Sequence, residues 1–276
     1  MKKKFLTIFS IFTIFLIGLI FVGCETNNKK EEKPVEPKKE RLVMGLELNR
    51  QPLGYIDEKG EIIGFDVDLA REVCNKLGKE LVFKPIAWEE KEHELNSGNI
   101  DFFWNGLGYT KDRAEKMELS KSYIKYPQII VLNKNCDAKT LEDLKGKSVC
   151  FKGGSTGGDF LKKQDVFKDL ADVKEFRNHN ESLKAVLNNE CSAAIMGDIV
   201  YKALIKENNL ENEFKVMEKP LLYTNHVIGF KKGNVELKNK FEEALQSLID
   251  SKKAEEISKK WFGENLVFLK DVENEN

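Results

Sequence analysis

The polar side chains best placed to bind a small molecule follow short apolar segments with the composition of β-strands. Five such stretches occur, at residues 47–51, 87–88, 105–113, 152–158 and 197–198. Together they supply cations, carboxylates, hydroxyls, aromatic rings and several backbone amides. In open α/β sheets, ligands bind outside the carboxyl ends of the strands, so these stretches predict a single site. Because these groups carry both positive and negative charges, they suit a zwitterionic ligand.

Catalytic chemistry finds little support in the sequence. His93 lies in a charged helical segment, His179 in a polar loop and His226 in an extended segment. None of them has the spacing of a recognisable catalytic triad with serine or cysteine. The sequence also contains no Walker-type phosphate loop and no metal-ligand spacing. We therefore predict a binding protein rather than an enzyme, with no cofactor and no metal.

The segments between these stretches alternate between strand and helix patterns. A short apolar strand from Arg41 precedes a helix that ends at Gly78, and the apolar positions of that helix share one face: Val67, Ala70, Val73, Cys74 and Leu77. A second strand, a charged helix and a third strand follow, and the pattern repeats from Asp143. Such β-α-β alternation predicts mainly parallel sheets with helices on their faces.

Two extended segments, near Tyr126 and near His226, lie between the two units. We interpret them as two hinge crossings between two α/β lobes, with the last helices returning to the first lobe. The first lobe is predicted to comprise residues 42–125 and 223–276, and the second lobe residues 126–222.

The first 24 residues have the pattern of an export signal. Lys2, Lys3 and Lys4 precede an apolar run that ends at Gly23-Cys24. The sequence F-V-G-C is similar to a bacterial lipobox, in which Cys24 receives a lipid and becomes the mature N-terminus. An uncleaved anchor and simple secretion are the alternatives, since the run is just long enough to span a bilayer. The lipobox interpretation places the protein at the extracytoplasmic face of the cell membrane, held by its lipid.

Residues 25–41 form a charged segment with one aliphatic residue and two prolines. This composition cannot bury enough apolar surface to offset the entropy of chain ordering, so we expect a disordered tether. The formal net charge of the whole chain is −1, which argues against a nucleic-acid partner.

Four cysteines follow Cys24, without C-x-x-C or zinc-type spacing. Export would permit disulfides. We expect these four cysteines to be buried free thiols: Cys74, Cys136, Cys150 and Cys191. One disulfide among the last three is the alternative.

Five motifs carry a resemblance to a known family. They are G-F-D-V-D-L-A from Gly64, L-N-S-G-N-I-D from Leu95, W-N-G-L-G-Y-T-K-D-R from Trp104, D-L-K-G-K-S-V from Asp143 and K-W-F-G from Lys260. In this order, they resemble the polar-amino-acid family of bacterial periplasmic-type solute-binding proteins. The resemblance covers residues 42 to 265.

The resemblance implies a two-lobed clam-shell of the type II periplasmic-binding-protein fold. Family members close two lobes on an amino acid or similar solute and deliver it to a membrane permease coupled to an ATPase. We therefore expect a monomeric, membrane-tethered binding protein whose ligand is a polar, charged or sulfur-containing amino acid. A dehydratase on the same fold and a ligand-sensing surface receptor are the alternatives.

The family's ligand contacts can be carried over by position. Arg113 matches the arginine that holds the ligand's α-carboxylate, which a planar guanidinium can bind through two parallel hydrogen bonds. Ser155 and Thr156 match a hydroxyl-bearing loop at a helix N-terminus that receives the same carboxylate, although Ser155 also suits a simple helix cap. Asp198 matches the acid that binds the α-ammonium group.

Other positions face the ligand side chain in the family. Trp88 matches an aromatic wall, and Glu47 an acid that often accompanies a cationic or strongly polar ligand. Lys152 also reaches towards the cleft in this comparison. The resemblance assigns the exit of the strand to Asn105 and Gly106, where backbone is exposed to the ligand.

Two positions depart from the family. Arg50 replaces an aromatic residue that stacks on the ligand; it can offer a flat face, pair with Glu47, or attract an acidic side chain. If it pairs with Glu47, a neutral polar or sulfur-containing ligand is expected. Gly108 replaces a serine or threonine, which removes a hydroxyl and keeps the amide.

Overall fold

The structure is a computed structural model that describes residues 40–272. The predicted signal peptide (residues 1–24), lipidation at Cys24 and nearly all of the tether lie outside the described residues. The predicted end of the tether at residue 41 is wrong by one position, because Arg41 already belongs to a strand and pairs with Glu80. No helix between residues 40 and 272 has the length and apolar character required to cross a bilayer.

Within this part the chain forms fourteen β-strands: β1 (Arg41–Leu46), β2 (Asn49–Arg50), β3 (Gly54–Ile56), β4 (Ile62–Ile63), β5 (Glu80–Pro85), β6 (Phe102–Gly108), β7 (Met117–Leu119), β8 (Ser122–Asn133), β9 (Ser148–Lys152), β10 (Asp172–Phe176), β11 (Ala193–Gly197), β12 (Phe214–Val216), β13 (Leu222–Lys231) and β14 (Val267–Lys270).

The eight α-helices of the same part are α1 (Phe65–Lys76), α2 (Lys91–Asn96), α3 (Lys111–Lys116), α4 (Thr156–Leu161), α5 (His179–Leu187), α6 (Asp198–Glu207), α7 (Val235–Asp250) and α8 (Lys253–Phe262). Short 3-10 helices occupy Trp88–Glu90, Leu141–Leu144 and Asp165–Asp169.

The main sheet has the strand order β10-β9-β11-β8-β13-β6-β1-β5. At one end β1 pairs in parallel with β5 and β6, and at the other end β9 pairs in parallel with β10 and β11. Between them β8 and β13 pair with each other and with their outer neighbours in antiparallel fashion. Each lobe therefore has a mainly parallel sheet, and the central antiparallel pair joins both into one hydrogen-bonded path.

The two crossings are the long strands β8 and β13. Tyr126 of β8 lies opposite Thr224 of β13 in the register, and His226 stacks on Tyr126 with ring centroids 4.1 Å apart. The predicted lobe boundaries at residues 126 and 223 fall inside these strands, and the boundaries themselves stay a prediction.

The C-terminal helices pack on the first lobe. Rings of α1 and α8 meet at Phe65 and Phe262, whose centroids are 4.7 Å apart. Lys260 Nζ and Trp261 Nε1 both donate to Asp68 Oδ2, at 2.7 and 2.8 Å. An aromatic pair of this kind contributes about 0.5–1.5 kcal/mol beyond its buried area. These contacts fix α1, and with it the first-lobe surface that faces the cleft.

Helix α1 has the face expected from its sequence. Val67, Ala70, Val73 and Cys74 are fully buried, and the helix stops before Gly78, which has φ +68°. Glycine adopts this left-handed conformation without the steric cost that other residues bear. All four cysteines of residues 40–272 are buried free thiols, as the leading interpretation expected.

Strand β6 runs further than predicted. Asn105 and Gly106 lie inside the strand, which ends at Gly108, so their placement at its exit is wrong. Gly106 has φ +64° and the pairing with β13 shifts register between Val227 and Gly229, so the strand is irregular where its end was predicted. A bulge of this kind keeps a strand paired while it redirects its backbone.

Candidate ligand-binding site

A cavity of about 900 Å³ opens between the lobes. Its first-lobe wall includes Trp88 and Arg113, and its second-lobe wall includes Gly154 and Thr156. Thr224 of β13 closes it from the hinge side. Three of the predicted ligand contacts, Trp88, Arg113 and Thr156, therefore line one cavity.

Arg113 spans the cavity from the first lobe to the second. Thr110 caps α3 by accepting a hydrogen bond from the Arg113 amide at 3.2 Å, which aims the side chain inward. The guanidinium donates to Gly108 O at 2.6 Å, to Gly154 O at 2.9 Å and to Thr156 Oγ1 at 3.3 Å. Only 5% of the residue is exposed, and burial lowers the pKa of Arg113 to about 10, so it stays charged. All three acceptors are neutral.

The indole ring of Trp88 lies at the centre of the site. Its Nε1 donates to Gly154 O at 3.1 Å, and its edge packs against Phe103. Four cationic groups lie near the ring, at distances from the centroid of 4.5 to 5.5 Å: Arg50, Lys91, Arg113 and Lys152. We call these four residues the cation cluster. A cation beside an indole is stabilised by about 0.5–2 kcal/mol.

Lys152 and Glu47 form an ion pair across the cleft. The Nζ and Oε2 atoms are 3.1 Å apart, and the Lys152 side chain is 2% exposed. Burial lowers the pKa of Lys152 to about 8, an effect to which Arg50 adds and which Glu47 opposes. The partner of Glu47 is thus Lys152, and the described ion pairs include none between Glu47 and Arg50.

Arg50 lies in β2 and points into the interior. Its Nη2 donates to Gly106 O at 2.9 Å, while Nε and Nη1 are buried without a hydrogen-bond partner among the described residues. The guanidinium carbon lies 4.5 Å from the Trp88 ring centroid, so Arg50 lies over the protein's own indole. The residue is 6% exposed, so two unpaired donors are held away from water.

Asp66 positions β6 beside this arginine. It accepts from Gly106 N at 2.7 Å through Oδ2 and from the Tyr123 hydroxyl at 2.8 Å through Oδ1. Burial raises the pKa of Asp66 to about 7, although these hydrogen bonds and Arg50 oppose the shift. Both carboxyl oxygens accept hydrogen bonds, one from the backbone of β6 and one from Tyr123 of β8. Asp66 therefore fixes the positions of these two strands beside the site.

On the second lobe, Ser155 and Thr156 divide their roles. Ser155 caps α4, because its Oγ accepts from Gly158 N at 3.3 Å. Thr156 Oγ1 faces Arg113 instead. The capping interpretation of Ser155 is therefore realised, and of these two hydroxyls only that of Thr156 takes part in the contact across the cleft.

Asp198 lies apart from Arg113 in this form of the protein. It begins α6 and lines a separate cavity of about 470 Å³ together with Tyr126 and Lys202. Its Oδ2 accepts from Lys202 Nζ at 3.1 Å. Its Oδ1 is buried and has no hydrogen-bond partner within residues 40–272. One carboxylate oxygen thus keeps its capacity to receive an ammonium group.

Gly108 leaves the space that Thr156 uses. A Cβ at this position would overlap the Thr156 hydroxyl and lie 2.8 Å from Thr224 Cγ2. The glycine therefore permits a close approach of the second lobe, and a hydroxyl from Thr156 stands beside the place where relatives carry their own. This consequence could not be read from the sequence, because it depends on the opposite lobe.

His179 belongs to the site's surroundings, although its sequence context suggested a polar loop. It begins α5, is 5% exposed, and has a buried Nδ1 with no hydrogen-bond partner among the described residues. Burial holds the pKa of His179 well below its usual range, and the charges of Arg50 and Lys152 act in the same direction. His179 follows β10 closely, and the other candidates were chosen because they follow strands. The same criterion could have identified His179.

Comparison with known proteins identifies the family of this chain. A family model described as bacterial extracellular solute-binding proteins, family 3, matches residues 42–264. The chain belongs to this family.

Relatives of this solute-binding protein are amino-acid-binding proteins. It is 28% identical to the arginine-binding extracellular protein ArtP of Bacillus subtilis (strain 168), over 89% of this chain and 94% of that protein. An ancestral arginine-binding protein bound to arginine aligns with a TM-score of 0.75 at 32% identity, over 82% of this chain and 99% of the other.

A second solved structure is also similar to this chain. The substrate-binding protein of an ABC uptake transporter from Streptococcus pneumoniae, with bound histidine, aligns with a TM-score of 0.75 at 30% identity. The alignment covers 82% of this chain and 94% of that one. The predicted fold class, a two-lobed α/β clam-shell, is thereby confirmed.

The close packing around Gly106 gives a stability prediction. An added Cβ would overlap Leu53 Cδ1 and lie 2.9 Å from Arg50 Nε. Gly106→Ala should therefore cost about 1–2 kcal/mol for its left-handed backbone and a further 1–3 kcal/mol for overpacking. Urea unfolding measures the loss.

Gly78→Ala is the matched control, since Gly78 has nearly the same φ and nothing within 4 Å of an added Cβ. It should lose only the backbone contribution. Equal losses in the two variants would show that the packing of Gly106 against Arg50 does not constrain the site.

Proposed function

We propose that this protein captures an amino acid between its lobes and delivers it to the permease of an ABC importer. The observation that carries the proposal is Arg113, a buried guanidinium whose three acceptors are all uncharged. Two of them belong to the second lobe, so the residue that would bind a carboxylate also links the two halves of the cleft. The bound amino acids of the solved relatives support the same role.

The ligand's α-carboxylate would replace Gly154 O and Thr156 Oγ1 as the acceptor of Arg113. Charge-assisted hydrogen bonds of this kind are about twice as strong as those to neutral acceptors. The carboxylate would then bring Thr156 and the amides at the start of α4 towards the ligand. Because these groups contact the ligand only when the lobes approach, binding favours the closed form.

Closure also uses contacts that need no ligand. The Trp88 indole donates to Gly154 O, and Lys152 pairs with Glu47 across the cleft. Asp198 would complete the site by accepting the α-ammonium group at its unpaired Oδ1. In this proposal the ammonium group would reach Asp198 from the second cavity that this residue lines.

A catalytic role has less support. His226 is stacked on Tyr126 and its Nδ1 lies 3.1 Å from Thr224 O. Burial holds the pKa values of His226 and His179 well below their usual range, so both remain neutral. Neither has an acid or a nucleophile as a hydrogen-bond partner among the described contacts. We propose a binding protein that works as a monomer, with a permease and an ATPase as its partners.

The lobe boundaries and the anchor complete the proposal. The first lobe comprises residues 42–125 and 223–276, the second lobe residues 126–222, and motion occurs in β8 and β13. The F-V-G-C motif supports lipidation at Cys24, which would hold the protein at the extracytoplasmic face of the membrane.

Replacing Arg113 tests the binding site. A micromolar complex has a binding free energy of about −8 kcal/mol. Arg113→Ala should lose about 3–5 kcal/mol, because it leaves the ligand carboxylate buried and unpaired. Arg113→Lys keeps the charge but loses the two-donor fork, so it should restore only part of the affinity. Native mass spectrometry of the protein as purified identifies the ligand, and calorimetry measures its affinity.

Arg71→Lys is the control, since Arg71 is exposed and contacts Ile62 O and the Phe83 ring outside the cleft. Its affinity should match that of the wild type. Unchanged binding by a folded Arg113→Ala variant would contradict the assignment.

Cys24→Ser tests the anchor. When cells are grown with a labelled fatty acid, the wild-type protein should carry the label and partition into detergent, because the thiol is the acceptor of the lipid. Cys24→Ser should do neither, and Cys136→Ser, which changes a buried thiol of the folded part, should behave as the wild type. Label on the Cys24→Ser protein would refute lipidation at this residue.

A further inference from the structure

Within residues 40–272, neither arginine of the cation cluster has an acidic side chain as a hydrogen-bond or ion-pair partner, although Asp159 acts on Arg113 and Asp66 on Arg50 over a longer distance. Lys152 has Glu47 at 3.1 Å, and Lys91 has Glu92 at 3.9 Å. By contrast, Arg113 donates only to neutral oxygens, and the one hydrogen bond of Arg50 also goes to a backbone carbonyl. Both arginines are at least 94% buried. A buried charge without a counter-charge is costly, so each of these sites favours an anion.

The α-carboxylate of an amino acid can pair with only one of these two arginines. Arg113 and Arg50 lie 5.5 and 4.5 Å from the centroid of the same Trp88 ring. The two guanidinium carbons are therefore at most about 10 Å apart. That is within reach of one small molecule with an anionic group at each end. Buried and unpaired, Arg50 Nε and Nη1 provide two donors for the second group.

The acids near Arg50 do not fill this need. Glu47 is engaged by Lys152, and both oxygens of Asp66 accept hydrogen bonds from Gly106 and Tyr123. His179 brings no negative charge. The region around Arg50 thus contains unpaired hydrogen-bond donors, and Lys152 lies near the same indole ring.

A cationic ligand side chain is disfavoured by the same contacts. It would need Glu47 as its partner, but Lys152, which is only 2% exposed, already pairs with one oxygen of that carboxylate. A primary amide would present its NH₂ donors to a region that supplies donors from Arg50 and Lys152. Only an acidic side chain offers acceptors alone.

We propose that the ligand is an amino acid with an acidic side chain, such as glutamate or aspartate. Its α-carboxylate binds Arg113, and its second carboxylate binds Arg50 and Lys152 beside Trp88. This inference rests on the proposed function and defines its ligand class. It assigns Arg50 and Lys152, the two cations flanking Trp88 at 4.5 Å, to specificity.

Calorimetry on the wild-type protein tests the proposal directly. After removal of any retained ligand by unfolding and refolding, glutamate, aspartate, glutamine, asparagine, arginine and histidine are titrated separately. At least one acid should bind 100-fold or more tightly than its own amide, and more tightly than arginine or histidine. Lower affinity for both acids than for a neutral or cationic amino acid would overturn the inference.

Variants locate the source of the selectivity. Arg50→Gln and Lys152→Gln should each weaken the favoured acid by at least 10-fold and change the affinity of its amide by less than threefold. Lys163→Gln is the control, since Lys163 is exposed and lines the cavity of about 900 Å³ together with Arg113, and it should keep the wild-type ratio. Equal losses of affinity for the acid and its amide would show that Arg50 and Lys152 do not distinguish the two side chains.

The two proposals fail differently. If glutamine or arginine binds tightly and Arg113→Ala abolishes that binding, the acidic ligand class is wrong and the amino-acid binding function stands. If none of the six amino acids binds and native mass spectrometry finds no amino acid, both are wrong. The wild-type titrations decide the ligand class even if a variant fails to fold.

Discussion

Four cations are gathered around one indole ring, and the rest of the site depends on how their charge is balanced. Burial and mutual repulsion lower the pKa values of Lys91 and Lys152 to about 8 and that of Arg113 to about 10. The protein supplies a carboxylate to each lysine, Glu47 to Lys152 and Glu92 to Lys91, whereas only neutral oxygens accept hydrogen bonds from the two arginines. Two buried arginines without an acidic hydrogen-bond partner favour an anionic ligand, which is the ligand class that we propose.

The fold creates this concentration of charge through its topology. Parallel strands in each lobe direct their carboxyl ends to the cleft, so Glu47 after β1, Trp88 after β5 and Lys152 at the end of β9 approach one another. The crossings β8 and β13 keep both lobes in one sheet while they leave the contacts of the cleft to side chains. In the function that we propose, closure and ligand recognition would therefore share the same residues, above all Arg113.

Sequence patterns revealed the alternating strands and helices because each depends on local periodicity. The apolar face of α1 and its stop at Gly78 required no knowledge of other segments. The length of β6 was misjudged because its continuation past Gly106 depends on pairing with β13, more than a hundred residues away. The small sheet of β2, β3 and β4, which carries Arg50, also escaped prediction because its strands are only two or three residues long.

The ligand-contact roles stay predictions, and the partners of these residues could not be read from the sequence. Glu47 pairs with Lys152 rather than with Arg50, and Gly108 makes room for Thr156; both facts require the two lobes to be seen together. A crystal structure with the bound amino acid tests the central claim most directly. The account predicts that Arg113 leaves Gly154 O and binds the α-carboxylate through two hydrogen bonds, with the ligand side chain beside Trp88. An amino acid bound elsewhere, with Arg113 still on its three neutral acceptors, would contradict it.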